Sequence, residues 1–123
     1  MISHELRDKM FPECPVRNVL ARTGDKWSLL VMHELAQSEV SMRFGELNKS
    51  LPDVSQKVLS QTLRRLEEDG FVTRTVYAEV PPRVEYALTE RAESFMKACQ
   101  PMVEWAVAHF AEIMASRRQY RGE

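Results

Sequence analysis

Hydrophobic residues recur at spacings of three and four in the first part of the chain, which predicts a series of short helices. One begins at Pro15, because proline suits the first helical position, and Gly24 ends it. The next spans residues 26 to 36, with Asp25 as its predicted N-cap. Its buried stripe consists of Trp27, Leu30, Val31 and Leu35. Residues 1 to 13 have no clear period and are predicted to form a polar arm.

A third helix is predicted from the helical spacing of Phe44, Leu47 and Leu51. It stops before Pro52, because the residue before a proline avoids helical dihedrals. The preceding segment, residues 38 to 42, is short, and only the β-branched Val40 indicates extended backbone. Another helix follows almost at once, with either Asp53 or Ser55 as its cap. The short link predicts two helices set at an angle in a tight unit.

This fourth helical segment, residues 54 to 66, separates hydrophobic from polar positions. At about 100° per residue, one side collects Val58, Leu59, Thr62, Leu63 and Leu66. The other side collects Lys57, Ser60, Gln61 and Arg64. No acid occurs in the segment, and the acidic run from Glu67 to Asp69 comes only at its end, before Gly70. One side is therefore predicted to face the core, and the other to face a polar partner.

After Gly70 the period changes from helical to alternating, which predicts two strands over residues 72 to 77 and 83 to 88. Between them, the pair Pro81-Pro82 has no N–H to donate to a ladder. The tip of this hairpin is therefore predicted to protrude as a stiff loop with Arg83 at its base.

Thr89 is predicted to cap a long helical region that runs to about Ser116, with a break or kink at Pro101. Residues 117 to 123 are predicted to be a charged, frayed tail. A hydrophobic stripe at spacings of three and four contains Cys99, Met102, Val103, Ala106, Phe110 and Ile113. A helix with so many hydrophobic residues must bury them, either against the core of its own domain or against a partner subunit.

The order of these elements predicts the fold class, which is mainly α with a small β-hairpin (α+β). A helix-turn-helix followed by a β-hairpin is the winged helix-turn-helix arrangement, in which the second helix of the pair enters the major groove of DNA. The side chains suit that role. Glutamine amides pair with adenine, arginine and lysine pair with guanine, and serine can serve several bases.

Size and charge place limits on this interpretation. With 123 residues the chain has room for one domain, and 44% hydrophobic and 28% charged residues are typical of a globular protein. The formal net charge of −1 counts mildly against nucleic-acid binding, since DNA-binding domains are usually basic. One helix and a loop can still supply a positive field where the acids lie elsewhere. A winged-helix module that binds protein rather than DNA is the second function consistent with the charge.

The remaining chemistry offers few candidate sites. Cys14 and Cys99 lack the close partners of a zinc site or a disulfide framework, which favours a reducing cytoplasm. No hydrophobic run forms a signal peptide or approaches the ~20 residues of a membrane span. The three histidines have no metal-ligand spacing. Without a phosphate-cradling glycine loop or a paired acid–base constellation, neither catalysis nor a cofactor is expected.

Six short segments add a more specific signal. They are Cys14-Pro-Val16, Gly24-Asp-Lys-Trp27, Met42-Arg-Phe-Gly-Glu-Leu47, Ser55-Gln-Lys-Val-Leu-Ser-Gln-Thr-Leu63, Leu66-Glu-Glu-Asp-Gly70 and Pro81-Pro-Arg-Val-Glu-Tyr-Ala-Leu-Thr89. In this order they resemble the signature segments of the HxlR family of bacterial winged helix-turn-helix transcription regulators. The resemblance covers roughly residues 14 to 110.

The resemblance implies a homodimer that binds a pseudo-palindromic operator in double-stranded DNA. Residues 14 to 89 would form the DNA-binding domain and residues 90 to 116 the dimerisation region, which would use the stripe from Cys99 to Ile113. The candidate DNA contacts are Arg43, Ser55, Gln56, Lys57, Ser60, Gln61, Arg64, Arg65, Pro82 and Arg83. Two of them have an alternative, because Arg43 and Arg83 could instead pair with nearby acids such as Glu46 and Glu85.

Cys14 is the candidate redox sensor. It occupies the predicted N-cap of the first helix, where the positive end of the helix dipole favours the thiolate. The resemblance implies that some relatives sense oxidants or electrophiles with this cysteine and that others carry it without redox use. A small, partly buried residue at a dimer contact is the preferred interpretation, since inert buried cysteines are common.

Overall fold

The computed structural model describes residues 15 to 123. Its helices are α1 (Pro15–Thr23), α2 (Ser28–Gln37), α3 (Phe44–Ser50), α4 (Gln56–Glu68) and α5 (Glu90–Arg121). Its strands are β1 (Met42–Arg43), β2 (Val72–Tyr77) and β3 (Arg83–Leu88). The predicted arm and Cys14 lie outside the described residues. The chain divides into two compact units after Ala92, and the first of them contains α1 to α4 and all three strands.

The cap predicted for α2 is present, but the helix begins two residues later than predicted. One carboxylate oxygen of Asp25, Oδ2, accepts the backbone N–H groups of Trp27 at 3.1 Å and Ser28 at 3.2 Å. Lys26 and Trp27 form a turn before the helix proper starts at Ser28. Asp25 thus satisfies donors at the amino end of α2 from just outside the helix.

Ser55 rather than Asp53 caps α4. Its backbone is extended (φ −74°, ψ 157°), and its Oγ accepts the N–H of Val58 at 3.1 Å. The hydrophobic side of α4 is buried as predicted, at Leu59, Thr62, Leu63 and Leu66. Thr62 lies within this apolar side because its hydroxyl donates to the carbonyl of Val58 at 2.8 Å. The opposite face of α4 is exposed to solvent.

Gly70 turns the chain from α4 into the hairpin. The N–H of Phe71 bonds to the carbonyl of Leu66 at 2.9 Å, and the N–H of Gly70 bonds to that of Glu67 at 3.1 Å. This pair of bonds is the Schellman motif, which needs a left-handed residue after the helix. Gly70 supplies it with φ 78°. A Cβ at this position would also meet the end of the Arg91 side chain, but that side chain is flexible, so the positive φ is what favours glycine here.

The two predicted strands have the predicted bounds, and β1 extends the hairpin into a three-stranded antiparallel sheet in the order β1-β3-β2. The sequence indicated extended backbone only near Val40, whereas the pairing occurs at Met42 and Arg43. In the register of β2 and β3, Val72 lies opposite Leu88 and Arg74 opposite Tyr86. The core lies between this sheet and helices α2 to α4, where Val31, Met32, Leu47, Leu59, Leu63, Leu66 and Val72 are buried. The fold is that of a winged helix.

Helix α5 corrects two expectations. It is continuous from Glu90 to Arg121, so the alternative of a break at Pro101 is wrong. It also extends past Ser116, so residues 117 to 121 are helical rather than frayed. The cap at Thr89 is present, with its Oγ1 accepting the N–H of Ala92 at 3.3 Å. None of the helices in residues 15 to 123 is long and apolar enough to cross a membrane.

Candidate nucleic-acid interface

The outward face of α4 collects most of the predicted DNA contacts. Five side chains on it are exposed, namely Gln56, Lys57, Ser60, Gln61 and Arg64. They share this face because Leu59, Leu63 and Leu66 hold the opposite side in the core. Ser55 is exposed at the same end, but its hydroxyl is already used to cap the helix. The face offers amides, a hydroxyl and two cations to a partner.

Neighbouring arginines on α4 have different surroundings. Arg64 is exposed, and within residues 15 to 123 no carboxylate forms a salt bridge with it. Arg65 is half-buried, pairs with Asp25 at 3.0 Å and donates to the Oγ of Ser28 at 3.1 Å. The structure therefore does not place Arg65 with the other predicted contacts. Its guanidinium ties α4 to the start of α2.

Asp25 is held in its charged form by this arrangement. Burial alone would raise the pKa of its carboxyl, but hydrogen bonds from Ser28 and Trp27 and the charge of Arg65 outweigh burial and lower the pKa. The Oγ of Ser28 donates to the other carboxylate oxygen, so both oxygens of Asp25 are engaged. The orientation of α4 against α2 thus rests in part on one ionised carboxylate.

At the base of the wing, Arg83 is occupied by acids. Its guanidinium lies 3.1 Å from Glu79 and 3.3 Å from Glu85, and it stacks over the ring of Tyr77 at 4.0 Å. The alternative named for Arg83, a pair with Glu85, is thus found. Pro82 is exposed, and Val80 at the tip is fully exposed. The wing presents a proline-rich tip above an arginine whose charge is already balanced.

Arg43 lies at the start of α3 with an exposed side chain. The side chain of Glu46 bonds to the backbone of Arg43: the Oε1 of Glu46 accepts the Arg43 N–H at 2.8 Å. Of the residues from 15 onward, none forms a salt bridge with the Arg43 guanidinium. The cation of Arg43 therefore remains available at one end of the helix-turn-helix.

The sequence interpretation missed two residues that the fold brings to α4. A polar cleft of about 320 Å³ is lined by Ser60, Arg64, Glu67, Arg74 and Tyr86. Arg74 comes from β2 and Tyr86 from β3, where they lie opposite each other in the sheet. The signal for Arg74 was present in the alternation, because it shares a face of β2 with the buried Val72. A polar residue on a core-facing strand face indicates a place where that face leaves the core.

In the second unit, the residues predicted for a dimer interface lie on exposed helix. Met102 is 56% exposed, Phe110 63% and Ile113 42%. Val103 and Ala106 are exposed as well, and Cys99 is half-buried. Trp105 extends the apolar surface and stacks on His109 with ring centroids 4.3 Å apart. Burial raises the pKa of the Cys99 thiol, which lowers its thiolate fraction at neutral pH.

Similar sequences are transcriptional regulators. An HTH-type transcriptional regulator of Methanothermobacter thermautotrophicus is 41% identical over 92 residues, which cover 75% of this chain and 69% of that protein. The HTH-type transcriptional regulator YtfH of Escherichia coli is 36% identical over 118 residues, which cover 94% of this chain and 92% of YtfH.

Solved structures agree with the sequence relatives. The transcriptional regulator ytfH from Salmonella typhimurium superposes with a TM-score of 0.71 at 34% identity, over 85% of this chain and 92% of that one. The redox regulator HypR in its reduced form has a TM-score of 0.70 at 35% identity, over 82% of this chain and 98% of HypR. Both likenesses extend over most of each molecule.

The family match covers the helix-turn-helix, the wing and most of α5. The HxlR-like helix-turn-helix family matches residues 22 to 114. This range contains every predicted DNA contact and the whole predicted dimer stripe, and it excludes Cys14. The chain therefore belongs to the HxlR-like helix-turn-helix family of transcriptional regulators, and it is not an enzyme.

Proposed function

We propose that the chain binds a specific DNA operator through α4. The observation that carries this proposal is the exposed face of that helix, which joins Gln56, Lys57, Ser60, Gln61 and Arg64 without an acid among them. A major groove about 12 Å wide admits one α-helix, and these side chains can read base edges or bind phosphates. The residues nearest the amino end of α4 read bases, and Arg64 binds the backbone. Arg43 adds a phosphate contact from the start of α3.

The operator is pseudo-palindromic, because the chain binds it as a homodimer. The exposed apolar stripe of α5 supports this step, since Phe110 and Met102 keep more than half of their surface in contact with water in the single chain. Exposed apolar surface of this extent is typical of an interface. Two copies related by a two-fold axis would present two α4 helices to two half-sites.

A titration with the DNA upstream of the chain's own gene tests DNA binding. The wild type should bind it with an affinity that falls steeply with salt, because cations displace counterions from phosphates. Arg64→Ala should lower the slope of log K against log salt by about 0.9. Gln61→Ala, which removes no charge, is the matched control and should weaken binding without a change of slope. The proposal of DNA binding is wrong if the wild type binds neither this DNA nor any sequence in a selection from random DNA.

A winged-helix module that binds protein is the second candidate, and the net charge of −1 favours it. The two candidates make opposite predictions for α4. If the partner were a protein, Lys57→Ala and Arg64→Ala would change binding to that partner while DNA binding stayed absent in the wild type.

Redox control through Cys14 is a further part of the proposal, supported by the similarity to the redox regulator HypR. An oxidant should change the DNA affinity of the wild type and leave that of Cys14→Ser unchanged. If the oxidant changes the DNA affinity of both proteins equally, the sensor is another group. If it changes neither affinity, redox control through Cys14 is wrong.

A further inference from the structure

We propose that the polar cleft between α4 and the sheet binds one backbone phosphate of the DNA, held between the guanidinium groups of Arg64 and Arg74. This inference rests on the DNA binding proposed above. It assigns a contact to the first strand of the wing, β2, rather than to the wing tip, and it brings Tyr86 into the interface.

The cleft is formed by two elements that approach at an angle. Ser60, Arg64 and Glu67 follow one another at spacings of four and three, so they lie along one side of α4. Arg74 and Tyr86 face them from the sheet, where the strand register places the two side chains opposite each other. A volume of about 320 Å³ is large enough for a phosphate group with its ordered water.

The charges in the cleft match one phosphodiester. Arg64 and Arg74 supply two positive charges and Glu67 one negative charge, which leaves a net charge of +1. Within residues 15 to 123, no salt bridge joins either arginine to Glu67 or to any other acid. Two guanidinium groups in one cleft repel each other, and a single anion between them relieves that repulsion. A phosphodiester carries one negative charge, so it would balance the cleft.

Position and chemistry favour a phosphate over a base. In a helix-turn-helix, the amino-terminal residues of the recognition helix contact base edges. Arg64 lies in the second half of α4, and Arg74 lies outside the helix altogether. The planar fork of arginine matches two phosphate oxygens, and serine and tyrosine hydroxyls are further phosphate donors. The cleft is thus built to receive the backbone beside the groove that α4 occupies.

The first experiment measures the salt dependence of DNA binding by the full chain. Arg74→Gln should lower the slope of log K against log salt by about 0.9 and weaken binding roughly fivefold at 0.15 M salt. Because phosphates carry no sequence information, the loss should be the same on specific and nonspecific DNA. Arg74→Lys keeps the charge and is the matched control, with a slope close to that of the wild type. An unchanged thermal unfolding midpoint in both variants establishes that the exposed substitution leaves the fold intact.

The second experiment locates the phosphate. DNA duplexes with a neutral methylphosphonate at one position at a time should reveal one position in each half-site where the substitution weakens the wild type more than Arg74→Gln, which keeps only Arg64 in the cleft. That result assigns the contact to Arg74. If every position affects the two proteins equally, the cleft does not bind DNA.

Inorganic phosphate distinguishes a DNA phosphate from a free anion. If millimolar phosphate raises the thermal midpoint of the wild type and not of Arg74→Gln, and no methylphosphonate position separates the two proteins, the cleft is a free-anion site and the proposal is wrong. Failure of the wild type to bind DNA would overturn both proposals. Wild-type binding with a lowered slope for Arg64→Ala and an unchanged slope for Arg74→Gln would overturn only this one.

Discussion

At the scale of single residues, the environment of each arginine decides what it can do. Arg64 and Arg65 are neighbours in sequence, yet one faces solvent and the other is held by Asp25 and Ser28. A rotation of about 100° per residue separates the two directions. Arg83 is also engaged, by Glu79 and Glu85. The number of arginines in the sequence therefore overstates the positive charge that is available to DNA.

Replacement of Asp25 tests the tie between α2 and α4. Asp25→Ala removes an acceptor for two backbone N–H groups and the partner of Arg65, and it should lower the free energy of unfolding by about 1–2 kcal/mol. Asp25→Asn keeps an acceptor oxygen and loses the charge, so it should cost less than Asp25→Ala. Chemical denaturation at neutral pH measures both. Equal stability of the alanine variant and the wild type would contradict the role given to Asp25.

The same carboxylate predicts a pH dependence. Because the folded chain lowers the pKa of Asp25, its contribution to stability is present above the ordinary aspartate pKa of about 4 and is lost as the pH falls below that value. The stability difference between the wild type and Asp25→Asn should therefore shrink below about pH 4. A difference that stays constant down to acid unfolding would contradict the lowered pKa.

Arg83 provides a contrast with Arg64 in DNA binding. Because two glutamates already balance its charge, Arg83→Ala should change the slope of log K against log salt by less than half the change in Arg64→Ala. Parallel titrations of the two variants on one duplex give this comparison. A loss of a full unit of slope in Arg83→Ala would make it a phosphate contact.

At the scale of elements, local sequence rules account for most of the secondary structure. Hydrophobic periodicity, with proline and glycine as end signals, placed α1, α3 and both strands of the hairpin correctly, because each of these signals is local. The errors have longer-range causes. β1 forms only because Met42 and Arg43 pair with β3, and the 32-residue helix α5 continues through Pro101, where a local rule allowed a break. The cleft at Arg74 also depends on a strand register that no single segment contains.

The apolar stripe of α5 makes an element-scale prediction. Phe110→Asp puts a charge into the proposed dimer interface and should convert a dimer, with twice the chain mass of 14.3 kDa, into a monomer. Phe110 is 63% exposed in the single chain, so the monomer should still fold. Sedimentation or light scattering gives the mass. Ala108→Asp changes an exposed residue on the other side of the same helix turn and should leave the dimer intact. A dimeric Phe110→Asp protein would assign the interface elsewhere.

At the scale of the whole molecule, a chain with a net charge of −1 can bind DNA if its cations are concentrated. Lys57, Arg64 and Arg74 lie on α4 and the strand beside it, whereas Arg65 and Arg83 are balanced by acids within the fold. The sequence was sufficient to predict the winged helix and the polar face of α4. It was insufficient to sort the neighbouring arginines of α4, because Asp25, the partner of Arg65, lies far away along the chain, before α2.

Selection of bound duplexes from random DNA by the full chain tests the central claim most directly. A homodimer that reads DNA with two α4 helices should enrich an inverted repeat whose half-site centres lie about one helical turn, roughly 10 base pairs, or a multiple of it apart. Selection of no sequence above the starting pool, or of a single asymmetric site, would contradict the account.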